Sequence, residues 1–247
     1  MKKSIYKKNN HLFIIGGQRC GTTSILNYLQ KYNDIIVAEP QKPEPKYFLN
    51  KNLNYTEYLN EFFIGKKLNK KILVDKSTSY LETIAAASNI KKIIPDAKIL
   101  ILLRNPTDRC ISNYFFSKKN KYEKYSLEKA LKIEKNRKFN KSKLSVSPYN
   151  YFERGKFVKY LNLWFKIFNK SQIKVIILEN LINNTQVELR KLCEFLNIKF
   201  NNRIAFTKKN SNKYAFKKKL IYELNNKYKS YNNQLIKKFD LDISYWQ

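Results

Sequence analysis

The sequence is poor in the residues that build metal sites, disulfide frameworks and flexible linkers. It contains one histidine and three cysteines, Cys20, Cys110 and Cys193, which share no close spacing. This pattern excludes a CxxC metal or redox motif, argues against a disulfide framework and fits a reducing compartment. With five glycines and six prolines, the chain also lacks a Gly-, Ser- or Pro-rich linker between domains.

Long hydrophobic runs are missing as well. No apolar run approaches the roughly 20 residues that span a bilayer, and residues 12–15 are fewer than the about 7–15 of a secretion signal. We therefore expect a cytoplasmic protein without a transmembrane segment. The 247 residues, 43% of them hydrophobic, suffice for a sizeable core, and we expect one domain over residues 1–247.

Acidic residues are scarce, since 19 of them face 50 basic residues and leave a net charge of +31. Such an excess can indicate binding to nucleic acid or to a membrane surface. Only seven of the basic residues are arginine, the usual residue for forked contacts to phosphates and bases, and the lysines are spread along the whole chain. We interpret the excess mainly as compositional bias. A basic nucleic-acid-binding protein stays an alternative, and the field should attract anionic ligands in either case.

Short apolar runs alternate with helical patterns along the chain. The predicted strands are residues 12–15, 35–37, 72–74, 99–103 and 173–178. The predicted helices are residues 23–32, 84–94, 107–118, 152–168 and 187–196. Continuous apolar strands alternating with helices predict an α/β fold of the P-loop-like, three-layer type, with a central parallel sheet flanked by helices. Polar stretches at 51–69 and 118–147 are predicted insertions that shape a cleft.

The segment GGQRCGTT, residues 16–23, follows the first predicted strand and opens the first predicted helix. Glycines allow the backbone to approach an anion closely, and the start of a helix presents free N–H groups and a positive dipole end. Nucleoside-triphosphate loops of the form GxxxxGK[ST] carry lysine where this chain has Thr22. That difference argues against a P-loop kinase or ATPase, the first alternative. A basic residue, Arg19, lies inside the loop instead.

A second constellation follows the fourth predicted strand. Arg104 lies at the end of that strand, where ligands bind in open α/β sheets. If a helix begins near Pro106, Ser112 lies about two turns further on and can face the same side. An arginine fork combined with a hydroxyl suits a terminal phosphate dianion.

Together, these two segments resemble the sulfotransferases that use 3′-phosphoadenosine 5′-phosphosulfate (PAPS), in particular the heparan-sulfate type of carbohydrate sulfotransferases and their bacterial relatives. The resemblance implies that the first segment holds the 5′-phosphosulfate and that Arg104 and Ser112 hold the 3′-phosphate. It also implies a basic loop for the 3′-phosphate at Lys208 and Lys209. The implied donor-binding residues of the first segment are Gln18, Arg19, Cys20, Gly21, Thr22, Thr23 and Ser24.

Two further segments carry the resemblance towards the reacting centre. PEPKYF, residues 43–48, is similar to the family's K-E-P-H-[FY]-F, which implies that Glu44 is the catalytic base. DKSTSY, residues 75–80, is similar to E-K-[ST]-x-x-Y, which implies that Lys76 contacts the donor. Pro43 and Lys46 depart from the family's lysine and histidine.

The sequence thus predicts transfer of a sulfuryl group from PAPS to a hydroxyl or amine, with a carbohydrate as the expected acceptor and adenosine 3′,5′-bisphosphate (PAP) as the product. Glu44, Lys76 and Arg19 are the predicted catalytic residues. No metal is expected, because the one histidine, His11, has no clustered ligands and is expected at the surface. Cys20 is expected to pack in the loop, and Trp164 in the core.

Overall fold

The fold was taken from a computed structural model, which describes residues 10–69, 71–139, 147–208 and 216–246. The strands are β1 (Asn10–Gly16), β2 (Ile35–Val37), β3 (Ile72–Lys76), β4 (Lys98–Leu103) and β5 (Ile173–Ile177). The helices are α1 (Thr22–Leu29), α2 (Tyr55–Phe62), α3 (Ile84–Ile93), α4 (Pro106–Lys119), α5 (Leu127–Ile133), α6 (Phe157–Ile167), α7 (Leu178–Asn183), α8 (Thr185–Leu196) and α9 (Lys218–Phe239). Every predicted strand coincides with an observed one to within two residues at each end.

The five strands form one parallel sheet in the order β2-β3-β1-β4-β5, flanked by helices. This arrangement confirms the predicted α/β fold class. The apolar runs are continuous because both faces of the sheet are covered: in β1, the side chains of residues 12–15 are completely buried.

The position of β1 in the centre of the sheet determines where the candidate site lies. After β1 the chain builds β2 and β3 on one side, and then crosses to build β4 on the other. Ile14 pairs with Lys76 of β3, and Gly16 pairs with Ile101 of β4. The segments that follow β1, β3 and β4 therefore meet at one edge of the sheet, where ligands bind in open α/β folds.

The helices differ from the prediction at several points. Helix α1 ends at Leu29 rather than at residue 32, and α7 and α9 are additional to the five predicted helices. Helix α6 begins at Phe157 rather than at residue 152, because residues 153–155 form a separate 3-10 turn in which Arg154 and Gly155 are buried. The stretches predicted as polar insertions contain α2 and α5. Each of these short helices has a side-chain cap, from Asn54 and from Ser126 respectively.

The core contains two residues, Trp164 and His11, for which the sequence predicted opposite degrees of burial. Trp164 is completely buried and donates its indole N–H to the carbonyl of Leu81 at 3.0 Å, as expected of a core residue. The expectation for His11 was wrong, since its side chain is only 2% exposed. Its Nε2 lies 3.0 Å from the Tyr55 hydroxyl and its ring stacks on Phe13. The residue is buried because β1 is the central strand of the sheet and His11 is already paired with Leu73 of β3.

Within the described ranges, no helix combines the length and the apolar character needed to cross a membrane. In the same part of the chain, no group of three or more His, Cys, Asp or Glu side chains could hold a metal ion.

Candidate functional site

The loop between β1 and α1 depends on two glycines with positive φ. Gly16 has φ of 143° and Gly21 has φ of 88°, angles that L side chains rarely adopt. A Cβ at Gly21 would lie 2.7 Å from Cδ1 of Leu178. The N–H of Gly17 donates to the carbonyl of Leu102 at 2.6 Å, which holds the start of the loop against β4. The loop is thus tightly folded and packed on the strands beside it.

Helix α1 directs its N-terminus into this loop. The first N–H groups of a helix have no partner within the helix, and here they belong to Thr22 and Thr23, which directly follow Gly21. The N–H of Ser24 differs, because it donates to the carbonyl of Gly21 at 3.0 Å, and the Ser24 side chain is buried. The start of the helix therefore offers backbone donors and a positive dipole end, the combination that binds anions.

The structure brings the predicted Arg19, Ser112 and Arg104 together. Arg19 donates from Nε to the Ser112 hydroxyl at 3.1 Å, although the two residues are 93 positions apart. Arg104 donates from Nη1 to the Arg19 carbonyl at 3.5 Å, and its Nη2 lies 3.4 Å from Asp108. Two guanidinium groups and a hydroxyl are thus linked at the loop that precedes α1, and this set of donors suits anionic groups.

A support behind Arg104 was not predicted from the sequence. The Asn105 side chain caps α4, and the Asn105 N–H donates to Oε1 of Glu179 at 3.0 Å. The other Glu179 oxygen accepts the indole N–H of Trp246 at 2.9 Å. Glu179 and Trp246 therefore fix the backbone directly after Arg104. In the sequence, Glu179 was indicated by its position just after β5, and Trp246 by its place in the aromatic pair with Tyr245.

A second support holds the side chain of Gln18 in the loop between β1 and α1. This support was also not predicted from the sequence. Arg154 is 3% exposed and pairs with Glu82, with 2.5 Å between Nε and Oε1. Its Nη1 donates to Oε1 of Gln18. Because Arg154 belongs to the turn before α6, sequence spacing could not place it at a loop 136 residues earlier.

Cys20 is a packing residue of the loop, as expected. Its side chain is fully buried, and burial raises the pKa of the thiol to about 12, against the lowering effect of Arg109 and Arg104. Burial thus disfavours the thiolate, the nucleophilic form of the side chain.

At the end of β3, Lys76 and Glu44 form an ion pair with 2.5 Å between Nζ and Oε1. The other oxygen of Glu44 accepts hydrogen bonds from the N–H and the hydroxyl of Thr78, both at 2.8 Å. The Glu44 side chain is 17% exposed, so it is a fixed and largely enclosed carboxylate rather than a solvated one. The two residues predicted for the reacting centre are in direct contact.

Two further lysines named in the sequence analysis differ in their burial. Lys46 is half-buried, and its burial lowers the pKa of its ammonium group. Lys208 is exposed. Lys209 lies outside the described residues, so the predicted 3′-phosphate loop at Lys208 and Lys209 stays a prediction.

Comparison with known proteins agrees with this geometry. Residues 9–239 match the family model described as a sulfotransferase domain. Heparan sulfate glucosamine 3-O-sulfotransferase 3B1 of Mus musculus is 27% identical over 188 residues, which cover 75% of this chain and 45% of that protein. Carbohydrate sulfotransferase 15 of Mus musculus is 24% identical over 245 residues, covering 76% of this chain and 44% of that protein. The chain thus spans less than half the length of these relatives.

Solved structures show the same fold. A sulfotransferase from Alicyclobacillus acidocaldarius superposes with a TM-score of 0.76 at 24% identity, covering 97% of this chain and 99% of that chain. Mouse sulfotransferase SULT7A1, solved in complex with PAP, superposes with a TM-score of 0.52 at 16% identity over 79% of this chain and 60% of that chain.

Proposed function

Because this chain belongs to the sulfotransferase domain family, we propose that it transfers a sulfuryl group from PAPS to a hydroxyl or amine of a carbohydrate, with residues 1–247 acting as one catalytic domain. The observation that carries the proposal is the hydrogen bond between Arg19 and Ser112, which joins the loop after β1 to the segment after β4. PAPS has a 5′-phosphosulfate and a 3′-phosphate, and the joined segments offer one group of donors for each.

The donor-binding residues divide between the two anionic ends of PAPS. Arg19 and the N–H groups at the start of α1 hold the 5′-phosphosulfate, with Gln18, Cys20 and Ser24 shaping the loop around it. Arg104 and Ser112 hold the 3′-phosphate, together with Lys208 and Lys209. Support comes from the close approach of Arg104 to the Arg19 carbonyl, which places the two groups of donors side by side.

The reaction needs a base, a stabilised leaving group and correct alignment. As the acceptor oxygen or nitrogen forms its bond to sulfur, the bond between sulfur and the bridging phosphate oxygen breaks, and PAP leaves. Glu44 takes the proton from the acceptor, while Arg19 and Lys76 stabilise the charge that develops on the phosphate. Support for these roles comes from the ion pair between Lys76 and Glu44, with 2.5 Å between Nζ and Oε1. Catalysis of this kind comes mostly from positioning and electrostatics.

A carbohydrate acceptor is supported by the named relatives, which are heparan sulfate and carbohydrate sulfotransferases. The net charge of +31 is consistent with an anionic glycan, since a strongly positive surface raises the local concentration of a polyanion.

The two alternatives make different demands on the same residues. A P-loop kinase or ATPase needs a lysine at the position of Thr22 to reach the β- and γ-phosphates. A dedicated nucleic-acid-binding protein would need neither an enclosed carboxylate at Glu44 nor an arginine-to-serine contact behind a phosphate loop.

The direct test is a transfer assay with sulfur-labelled PAPS against a panel of glycans that includes oligosaccharides. Phenols and tyrosine peptides are run in parallel as acceptors of other classes. We expect label to appear in at least one glycan and unlabelled PAP to accumulate in equal amount. Transfer to phenols or peptides alone would correct the acceptor class. Absence of transfer to every acceptor, with no release of PAP, would contradict the proposed reaction.

A further inference from the structure

The segment that carries Glu44 is held by two side-chain hydroxyls. Residues 43–48 connect β2 towards α2, and a 3-10 turn begins only at Tyr47. The N–H of Lys46 donates to the Ser77 hydroxyl at 2.9 Å, and the N–H of Phe48 donates to the Tyr80 hydroxyl at 3.2 Å. Both hydroxyls belong to the segment that contains Lys76.

The two hydroxyls donate hydrogen bonds to the same carboxylate, that of Asp75. Ser77 donates from Oγ to Oδ1 of Asp75 at 2.7 Å, and Tyr80 donates to Oδ2 at 3.3 Å. Tyr58 donates to the same Oδ2, also at 3.3 Å. Asp75 is completely buried, so these hydroxyls replace the water that would otherwise solvate it.

This pattern fixes the direction of each hydrogen bond. When Asp75 is ionised its carboxylate only accepts hydrogen bonds, so Ser77 and Tyr80 turn their hydrogens towards it. Their oxygen lone pairs then face the N–H groups of Lys46 and Phe48. An apolar residue at position 75 would leave the two hydroxyl rotors without this orientation.

We propose that Asp75 is a positioning residue for Glu44, acting through two relays that run from Asp75 through Ser77 to Lys46 and from Asp75 through Tyr80 to Phe48. This inference rests on the proposed function, in which Glu44 is the base. Successive residues of a strand point to opposite faces, so β3 directs Lys76 to the Glu44 side chain and Asp75 to the hydroxyls that hold the backbone of Lys46 and Phe48. The end of one strand thus holds the side chain of Glu44 directly and the main chain two and four residues after it.

The test removes the relay hydroxyls and leaves the carboxylate in place. The variant Ser77→Ala/Tyr80→Phe is compared with Ser88→Ala/Tyr222→Phe, which removes the same two hydroxyls at exposed positions of α3 and α9. Three readouts are needed: kcat and KM in the transfer assay, PAP affinity by calorimetry, and the midpoint of thermal unfolding. We expect the relay variant to lose on the order of tenfold in kcat, because small displacements of a reacting group have effects of this size or larger. PAP affinity should match that of the control.

A double-mutant cycle with Glu44→Gln separates positioning from general stability. If the relays act through Glu44, removing them in the Glu44→Gln background should cause no further loss of kcat. Equal losses in both backgrounds, or a parallel loss of PAP affinity, would overturn the relay and leave the proposed reaction intact. A Glu44→Gln variant with full kcat would instead overturn Glu44 as the base, and the relay with it.

If the double variant unfolds, the single substitution Ser77→Ala is measured in the same cycle. It removes one relay and leaves Tyr58 and Tyr80 on Asp75. An unchanged kcat in a folded Ser77→Ala variant, together with a reduced kcat in Glu44→Gln, would overturn the proposal.

Discussion

At the residue scale, the site is organised around two carboxylates with opposite surroundings. Glu44 faces a lysine and two donors from Thr78, and keeps contact with solvent. Asp75 is completely buried and accepts hydrogen bonds from the hydroxyls of Tyr58, Ser77 and Tyr80. The first environment suits a group that must exchange a proton with an acceptor. The second suits a group that holds other groups in place.

The substitution Glu44→Gln should lower kcat by about 10²- to 10⁴-fold, the usual contribution of a general base. PAP affinity should stay within about twofold, since the amide keeps the size of the side chain and, in the proposal, Glu44 does not bind PAP. Glu39→Gln is the matched control, because the Glu39 side chain is 63% exposed. Unchanged turnover in Glu44→Gln would remove Glu44 from the mechanism.

Asp75 gives a stability prediction with a defined sign. Burial raises the pKa of Asp75 to about 7, although hydrogen bonds from Ser77 and Tyr80 lower it; in an unfolded chain an aspartate titrates near about 3.9. Between these values the folded protein keeps a proton that the unfolded chain has lost. The contribution of Asp75 to the free energy of unfolding therefore falls as pH rises from about 4 to about 7, and stays constant above that pH.

The comparison of wild type with Asp75→Asn isolates that contribution, because the other titrating groups are common to both. We expect the melting temperature of the wild type, relative to that of the variant, to decrease as pH rises from about 4 to about 7. Thermal unfolding at a series of pH values measures it. A difference that increases over this interval would contradict the raised pKa.

At the residue scale the sequence predicted which side chains belong to the site better than it predicted their partners. The sequence was sufficient to predict Arg19, Arg104 and Ser112, because they follow strands at recognisable spacings. Arg154 and Glu179 were not, because each reaches the site from a segment far away in the chain, and only the fold brings them there.

At the element scale, the connection between β1 and α1 contains three residues with positive φ, Gly16, Arg19 and Gly21. Gly21 directly precedes α1 and is packed against Leu178 at the start of α7. A side chain at this position would push the loop away from α7 and move the first N–H groups of α1.

The pair Gly21→Ala and Gly65→Ala tests this packing. Both glycines have positive φ, so each alanine should cost about 1–2 kcal/mol through the backbone alone. Only at Gly21 does a Cβ meet another atom, since nothing lies within 4 Å of a Cβ at Gly65. We expect Gly21→Ala to lower PAP affinity by at least about tenfold in calorimetry and Gly65→Ala to leave it unchanged. Equal PAP affinities in the two variants would show that the loop tolerates the displacement.

The strands were predictable at this scale because they are covered on both faces and therefore read as continuous apolar runs. The short helices α2 and α5 were missed because each buries few residues, Tyr58 and Phe62 in α2 and Leu127 and Ala130 in α5. A helix with so narrow an apolar face gives a weak periodic pattern. The start of α6 was misplaced because residues 153–155 form a separate 3-10 turn, in which Arg154 and Gly155 are buried.

At the scale of the whole molecule, the site collects contributions from distant parts of the chain. The loop after β1, the segment around Glu44, the end of β3, the start of α4 and the terminal Trp246 all meet at one edge of the sheet. A parallel sheet makes this convergence inevitable, since the carboxyl ends of all its strands lie at one edge. The net charge of +31 adds a long-range attraction for anions that salt should weaken.

The central claim is that the loop after β1 binds a nucleotide with 5′- and 3′-anionic groups rather than a triphosphate. Calorimetric titration with PAP, and separately with ATP and Mg²⁺, tests it on the wild type, on Arg19→Ala and on Arg203→Ala, an exposed arginine away from the loop. We predict that PAP binds the wild type at least about tenfold more tightly than ATP, that Arg19→Ala loses at least about tenfold in PAP affinity, and that Arg203→Ala loses none. Binding of ATP with Mg²⁺ as tight as that of PAP, or PAP affinity unaffected by Arg19→Ala, would contradict the claim.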